Sequence, residues 1–129
     1  MWEIKTTDRF DEWLIAQNDY TRASVLAALI VLRTKGPGLP SPWADTIKGA
    51  RYSNMKELRI QCCGEPIRAF FAFDPRRAAI VLCAGSKAGN EKRFYAEMIS
   101  RAEQEYANYL KNQRKRSKYG QNAGTTACG

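Results

Sequence analysis

The stretch "MKELRIQCCGEPIRAFFAFDPRRAAIVLCAG", residues 55–85, decides the fold. Its first part sets Leu58, Ile60 and Cys62 against Glu57, Arg59 and Gln61, the period of two of a strand with one apolar face. Cys63-Gly64-Glu65-Pro66 reads as a turn. "IRAFFAF" then puts Ile67, Ala69, Phe71 and Phe73 on one face and Arg68, Phe70 and Ala72 on the other. Asp74-Pro75-Arg76-Arg77 turns the chain again. "AAIVLCAG" is apolar on both faces, as a central strand is. Strands joined this tightly run antiparallel, because parallel neighbours need a long crossover. The segment is therefore a three-stranded meander, and Cys62 and Cys63, read as strand neighbours, point to opposite faces.

Upstream, "WEIKTT" alternates Trp2 and Ile4 against Glu3 and Lys5, a short half-buried strand. Thr7 and Asp8 can cap a helix over "DRFDEWLIAQ", where Phe10, Trp13, Leu14 and Gln17 share one side. Asn18-Asp19 offers a second cap. "YTRASVLAALIVLRTKG" continues as a helix whose stripe is Val25, Ala28, Leu29 and Leu32, closed by Lys35, Gly36 and Pro37. Two helices joined this tightly are expected to pack as an antiparallel hairpin. "GPGLPSPW" is a loop, and "DTIKGARYSN" fits either a short strand or an irregular approach.

Downstream, Gly85 to Asn90 form a loop and Asn90 caps a final helix. Its stripe is Tyr95, Met98, Ile99, Ala102, Tyr106 and Leu110. The order β-α-α-β-β-β-α leaves too few crossover helices for a parallel sheet. The fold class is α+β: a small, mainly antiparallel sheet with helices against it. Residues 1–112 make one domain. Residues 113–129 follow as a tail, basic at first and then without pattern.

The chain has 129 residues with 21 basic and 13 acidic side chains, a net charge of +8. A small basic domain suits nucleic acid, a ribosome or an acidic protein as partner. No apolar run reaches the roughly 18 residues of a membrane span. The first ten residues do not read as a secretory signal, so a cytoplasmic protein is expected. Cys62, Cys63, Cys83 and Cys128 show no C-x-x-C spacing, and there is no histidine to complete a zinc site. They read as small buried hydrophobes or incidental thiols. The lack of histidine also removes Ser-His-Asp, Cys-His and histidine-pair nuclease chemistry. No metal or cofactor is expected.

Cations recur around the meander. Arg59 and Arg68 lie on neighbouring strands and point away from the apolar face. Lys56 stands near the start of the first strand, Lys87 leaves the third, and Lys92 and Arg93 open the last helix. Any one of these is ordinary on a solvated strand face. Together they suggest one open, basic side of the sheet. Cations at a helix N-terminus oppose the macrodipole, a penalty that a bound phosphate would relieve. Phe70 and Tyr95 could stack on unpaired bases, although Tyr95 fits core packing equally well. The basic run 111–118 suits nonspecific phosphate attraction.

With these residues in view, the chain resembles the HigB-like, phage-related branch of the RelE/ParE toxin superfamily. The resemblance rests on a "K-E-L-R" strand, "R-A-F-F-A-F-D", an apolar strand reaching "G-x-K", and "E-K-x-F-Y" opening a helix that runs to "A-x-x-x-Y". It covers residues 1–112 and is sharpest over 55–98. It implies a RelE-like twisted sheet with an N-terminal helical hairpin and a C-terminal helix. It also implies the toxin of a type II toxin–antitoxin system: a ribosome-dependent endoribonuclease that cuts mRNA by 2′-OH attack, without metal. The implied partners are mRNA, the ribosome and a cognate antitoxin, in this branch usually a helix-turn-helix DNA-binding protein. By position, Arg68, Lys87, Lys56 and Tyr95 take the catalytic roles, with Arg59, Phe70, Lys92 and Arg93 as RNA-binding residues. Glu91 fits either a proton donor or a dipole partner. Two other functions fit the same residues: a ParE-like gyrase inhibitor, and a noncatalytic basic RNA-binding module.

Overall fold

A computed structural model describes the backbone of residues 1–127 and the side chains of residues 1–114. The chain forms β1 (Glu3–Thr6), α1 (Asp8–Ile15), α2 (Asp19–Lys35), a short 3-10 turn (Gly36–Gly38), β2 (Ala44–Thr46), β3 (Met55–Cys62), β4 (Glu65–Asp74), β5 (Ala78–Ser86) and α3 (Glu91–Ala127). The five strands make one sheet in the order β1-β5-β4-β3-β2. The β3-β4-β5 meander is antiparallel, β2 adds antiparallel to β3, and β1 pairs with β5 in parallel. The sheet is therefore mixed. The three-residue β2 is too short to show a hydrophobic period, which is why "DTIKGARYSN" was ambiguous.

Both faces of the sheet are covered. On one, Phe10 of α1 and Val25, Leu29 and Leu32 of α2 pack with Leu58, Ile60, Ile67, Ala69, Phe71, Ala79 and Val81. On the other, Met98, Ala102 and Tyr106 of α3 pack with Met55, Phe70, Ala72, Ala78, Ile80, Leu82 and Cys83. This corrects the expectation of an open basic side: the residues opposite the first apolar face lie under α3. The two N-terminal helices follow one another through a three-residue link, as the helical hairpin requires, and rest on the sheet. Their main contacts are with the sheet, α1 on β5 and α2 on β3. Thr7 caps α1 by accepting from the Phe10 N–H at 3.1 Å, and Asn18 caps α2 by accepting from the Thr21 N–H at 2.9 Å.

One irregularity matters below. Phe70 pairs with Cys83 but Phe71 pairs with Val81, so Leu82 is an extra residue in β5. Leu82 and Cys83 consequently both face α3. The Leu82 carbonyl accepts the Thr7 hydroxyl at 2.6 Å, while the Thr7 N–H bonds Val81 O at 3.1 Å. Helix α3 runs across the expected boundary at residue 112 to Ala127, with no proline after Pro75 to stop it. Cys128 lies outside the described residues. Among those described, no helix is long and apolar enough to cross a membrane.

The β3–β4 turn brings a second correction. Cys63 has φ 54° and Gly64 φ 78°. The left-handed turn brings the two sulfurs of Cys62 and Cys63 to 3.6 Å instead of sending them to opposite faces.

Candidate functional site

The α3 face of the sheet carries the charged cluster. Arg59 and Arg68 are directly paired residues of β3 and β4. Like charges in that position repel, and two carboxylates resolve the conflict. Glu57, on the same face of β3, accepts from Arg59 Nε at 3.1 Å, and Asp45 of β2 lies 2.9 Å from the other end of the guanidinium. Burial works against the charge on Arg59, but the bond to Glu57 and the charges of Glu57 and Asp45 prevail and raise its pKa. Arg68 turns back on its own strand, donating to Ile67 O at 3.0 Å. Glu57 and Arg68 are only 5% and 9% exposed, so both charges are held out of water. Each keeps one buried atom, Glu57 Oε2 and Arg68 Nε, without a hydrogen-bond partner.

Tyr95, in the first turn of α3, covers this cluster. Its ring meets Phe70 edge-on at 6.1 Å and Phe94 at 5.4 Å. Both the Glu57 carboxylate and the Arg68 guanidinium are near enough to act on its hydroxyl. Burial, then Glu57, push the phenol above its usual range, and Arg68 pulls the other way. At neutral pH it is a protonated donor. Asn90 sets the helix start: its side chain accepts from the Arg93 N–H at 3.0 Å and its carbonyl from the Phe94 N–H at 2.9 Å.

Lys87 stands at the edge of this group, two residues after Gly85, the pairing partner of Arg68. Its N–H donates to Pro66 O at 2.7 Å and its ammonium lies 3.3 Å from Glu91. Glu91 thus acts as the partner of a lysine at the helix start. The extra residue Leu82 decides the side. It flips the alternation of β5, so that Cys83, Gly85 and then Lys87 fall on the α3 side with Arg68 and Tyr95. The packing of Gly85 against Phe94 and Met98 agrees with this.

Four of the remaining sequence candidates stand apart. Lys56 pairs with Phe71 and faces the α1/α2 side, with its ammonium 5.9 Å from the Phe73 ring centre. Strand alternation separates it from Glu57 and Arg59. Lys92 and Arg93 are exposed on the outside of α3, and Arg93 pairs with Glu97 at 3.1 Å. Phe70 is fully buried, so it is a core residue and not a stacking platform. The structure therefore gathers Arg59, Arg68 and Tyr95, places Lys87 beside them, and leaves Lys56, Lys92, Arg93 and Phe70 outside. Glu57 and Asp45 are the members missed in the sequence. Glu57 was legible in principle, as the acid two residues from Arg59 on one strand face.

A family model described as "Phage derived protein Gp49-like (DUF891)" matches residues 12–107. The chain is 43% identical over 104 residues to the putative toxin HigB2 of Mycobacterium tuberculosis, covering 80% of this chain and 52% of that protein. It is 44% identical over 100 residues to the putative toxin HigB3 of the same organism, covering 78% and 86%. The chain thus spans about half the length of the first relative and most of the second. Among solved structures it is similar in fold to the isolated E. coli RelE toxin, with TM-score 0.56, 13% identity and coverage of 78% and 98%. The archaeal RelE–RelB complex from Pyrococcus horikoshii OT3 gives TM-score 0.52 at 10% identity, covering 69% and 98%. At these identities the likeness is one of fold: a RelE-like α+β arrangement.

Proposed function

Since the chain belongs to the Gp49-like family of RelE/HigB-type proteins, we propose that it is the toxin of a type II toxin–antitoxin system and cuts mRNA on the ribosome. The observation that carries this reading is the Arg59–Glu57–Tyr95–Arg68 cluster on the α3 face. Two guanidiniums and a protonated phenol meet there at the mouth of a covered sheet, with Lys87 at its rim.

The chemistry asks for little else. In this reading the 2′-OH attacks the adjacent phosphorus, the 5′-oxygen of the next nucleotide leaves, and negative charge accumulates on the phosphate oxygens. Fixed cations in a partly dry site stabilise that charge. Arg59 and Lys87, whose side chains reach the surface, contact the phosphate. Arg68, nearly buried, acts from behind by holding the Tyr95 hydroxyl and adding positive potential. Tyr95, kept protonated by burial and Glu57, supplies the proton to the leaving oxygen. Every basic group of the cluster rests on an internal acceptor: Arg59 on Glu57 and Asp45, Lys87 on Glu91, Arg68 on Ile67 O. Substrate phosphate must exchange with those acceptors, so alignment by the ribosome supplies part of the work. The partner that keeps the protein silent is an antitoxin, a reading supported by the archaeal fold neighbour, which is a complex of RelE with RelB.

Expression of this chain alone in bacteria, scored for growth and for new mRNA 5′ ends, tests the reading. Growth arrest with cleavage confined to translated messages is expected. Tyr95→Phe and Lys87→Ala should each lower cleavage by about 10²-fold or more, and Lys56→Ala should leave it unchanged. Arrest with intact mRNA would overturn it, as a protein-inhibiting toxin predicts.

A further inference from the structure

Outside the cluster, the β3–β4 hairpin holds an arrangement that the function above does not use. Cys62 ends β3 buried against α2, and Cys63 is exposed. In a continuing strand their side chains would diverge. Here Cys63 takes φ 54°, a conformation uncommon for a residue with a side chain, and the sulfurs touch at 3.6 Å. The two atoms need approach by only about 1.5 Å to reach the S–S bond length. The ring formed by adjacent cysteines requires a twisted peptide link, and a left-handed turn at a hairpin tip is where the backbone can yield.

We propose that Cys62 and Cys63 are an oxidative modification site, closing to a reversible vicinal disulfide at the tip of the β3–β4 hairpin. With hydrogen peroxide as oxidant, the exposed Cys63 sulfur takes one peroxide oxygen to become a sulfenic acid, and the peroxide's other oxygen leaves as water. Cys62 then attacks the Cys63 sulfur, the S–S bond forms, and the sulfenic oxygen leaves as a second water. Two thiols and one peroxide give one disulfide and two waters. The pair divides the roles by access. Ser24, Cys63 and Thr21 hold the Cys62 pKa below the usual thiol value, which suits the resolving thiol. Cys62 pushes that of Cys63 up, so Cys63 meets the peroxide because it is the exposed sulfur and not because it is the more acidic one. Cys83 is the internal contrast, buried and pushed up to about 12, and it stays a thiol. The strain of the ring makes the bond easily reduced, as regulatory disulfides are. The tip lies three pairings along the ladder from Arg59 and Arg68, and its Pro66 carbonyl holds the Lys87 N–H.

The full chain, reduced and then titrated with hydrogen peroxide, tests this by peptide mass. The peptide holding both cysteines should become lighter by two hydrogens and regain them with dithiothreitol, while Cys83 remains alkylatable after unfolding. Cys63→Ser and Cys62→Ser, each checked for native circular dichroism, should abolish that species. Oxygen adducts on Cys63 without loss of the two hydrogens would overturn the proposal. So would a bridge from Cys63 to Cys128 or to a second chain.

Discussion

The two faces of the sheet are built differently. Toward α1 and α2 the interior is apolar, from Phe10 and Leu32 through Ile67 and Val81. Toward α3 the interior includes Glu57, Arg68 and Asp74, the three charged side chains buried among the described residues. Phe70, Met98 and Tyr106 pack around them. Burying a charge costs free energy unless it is paired and hydrogen-bonded. The α1/α2 face therefore supplies stability, and the α3 face gives up some of it to hold charges in fixed positions. Asp74 illustrates the pairing this requires. It accepts from the Tyr109 hydroxyl at 2.6 Å and from the Arg76 N–H at 2.7 Å. Burial alone would raise its pKa, yet these bonds together with Lys5 lower it.

The comparison can be broken first by removing packing. Phe10→Ala on one face and Phe70→Ala on the other should each cost about 3–5 kcal/mol in urea unfolding, since both rings are fully buried. A clear inequality would show that one face contributes little to the core. Next, Thr7→Val removes both the α1 cap and the partner of the Leu82 carbonyl, with an expected loss of about 1–3 kcal/mol.

Tyr109→Phe is smaller, about 1 kcal/mol, and confined to the α3 side. It also carries a sign in pH. The Tyr109 pKa is raised to about 12 by burial and then by Asp74, against about 10 unfolded. Its contribution is therefore full below pH ~10 and disappears as pH rises through about 12. The Asp74 pKa is depressed, so its contribution holds above the unfolded value near 3.9 and fades as pH falls through the folded one. Thermal melts across pH should show both limbs in the wild type, and the alkaline limb should shrink in the Phe variant to what Tyr95 and Cys83 contribute. An effect no larger sharpens the contrast most. Arg68→Met replaces a buried guanidinium, whose hydrogen bond is to Ile67 O and which makes no ion pair among the described residues, by a similar apolar volume and should change stability by about 1 kcal/mol. Cleavage should nonetheless be lost, because Tyr95 loses the charge beside its hydroxyl. A large loss of stability would instead make Arg68 a structural residue.

The meander, both helix caps and the basic character of residues around Arg68 were legible because each rests on local spacing. What was not legible depends on contacts between distant segments. Nothing in "WEIKTT" says that it joins β5 in parallel, and nothing in the β3 alternation says that α3 lies over Glu57. A period of two with charges on one side looks the same under a helix as under water, so Phe70 was read as available when it is enclosed. Lys56 is a different case. The alternation already placed it with Leu58 and Ile60, and its charge alone suggested otherwise.

The single surplus residue in β5 carries a further consequence for inheritance. Loss of one codon at Leu82 would restore an even ladder and leave every other pairing as it stands, since Phe71 already meets Val81 and Phe70 already meets Cys83. The segment would still be apolar, and the ammonium of Lys87 would stay on the tyrosine's side of the sheet; what would go is the carbonyl that receives the Thr7 hydroxyl. In this scaffold, a deletion in the central strand can spare the charged cluster and fall instead on the start of the first helix.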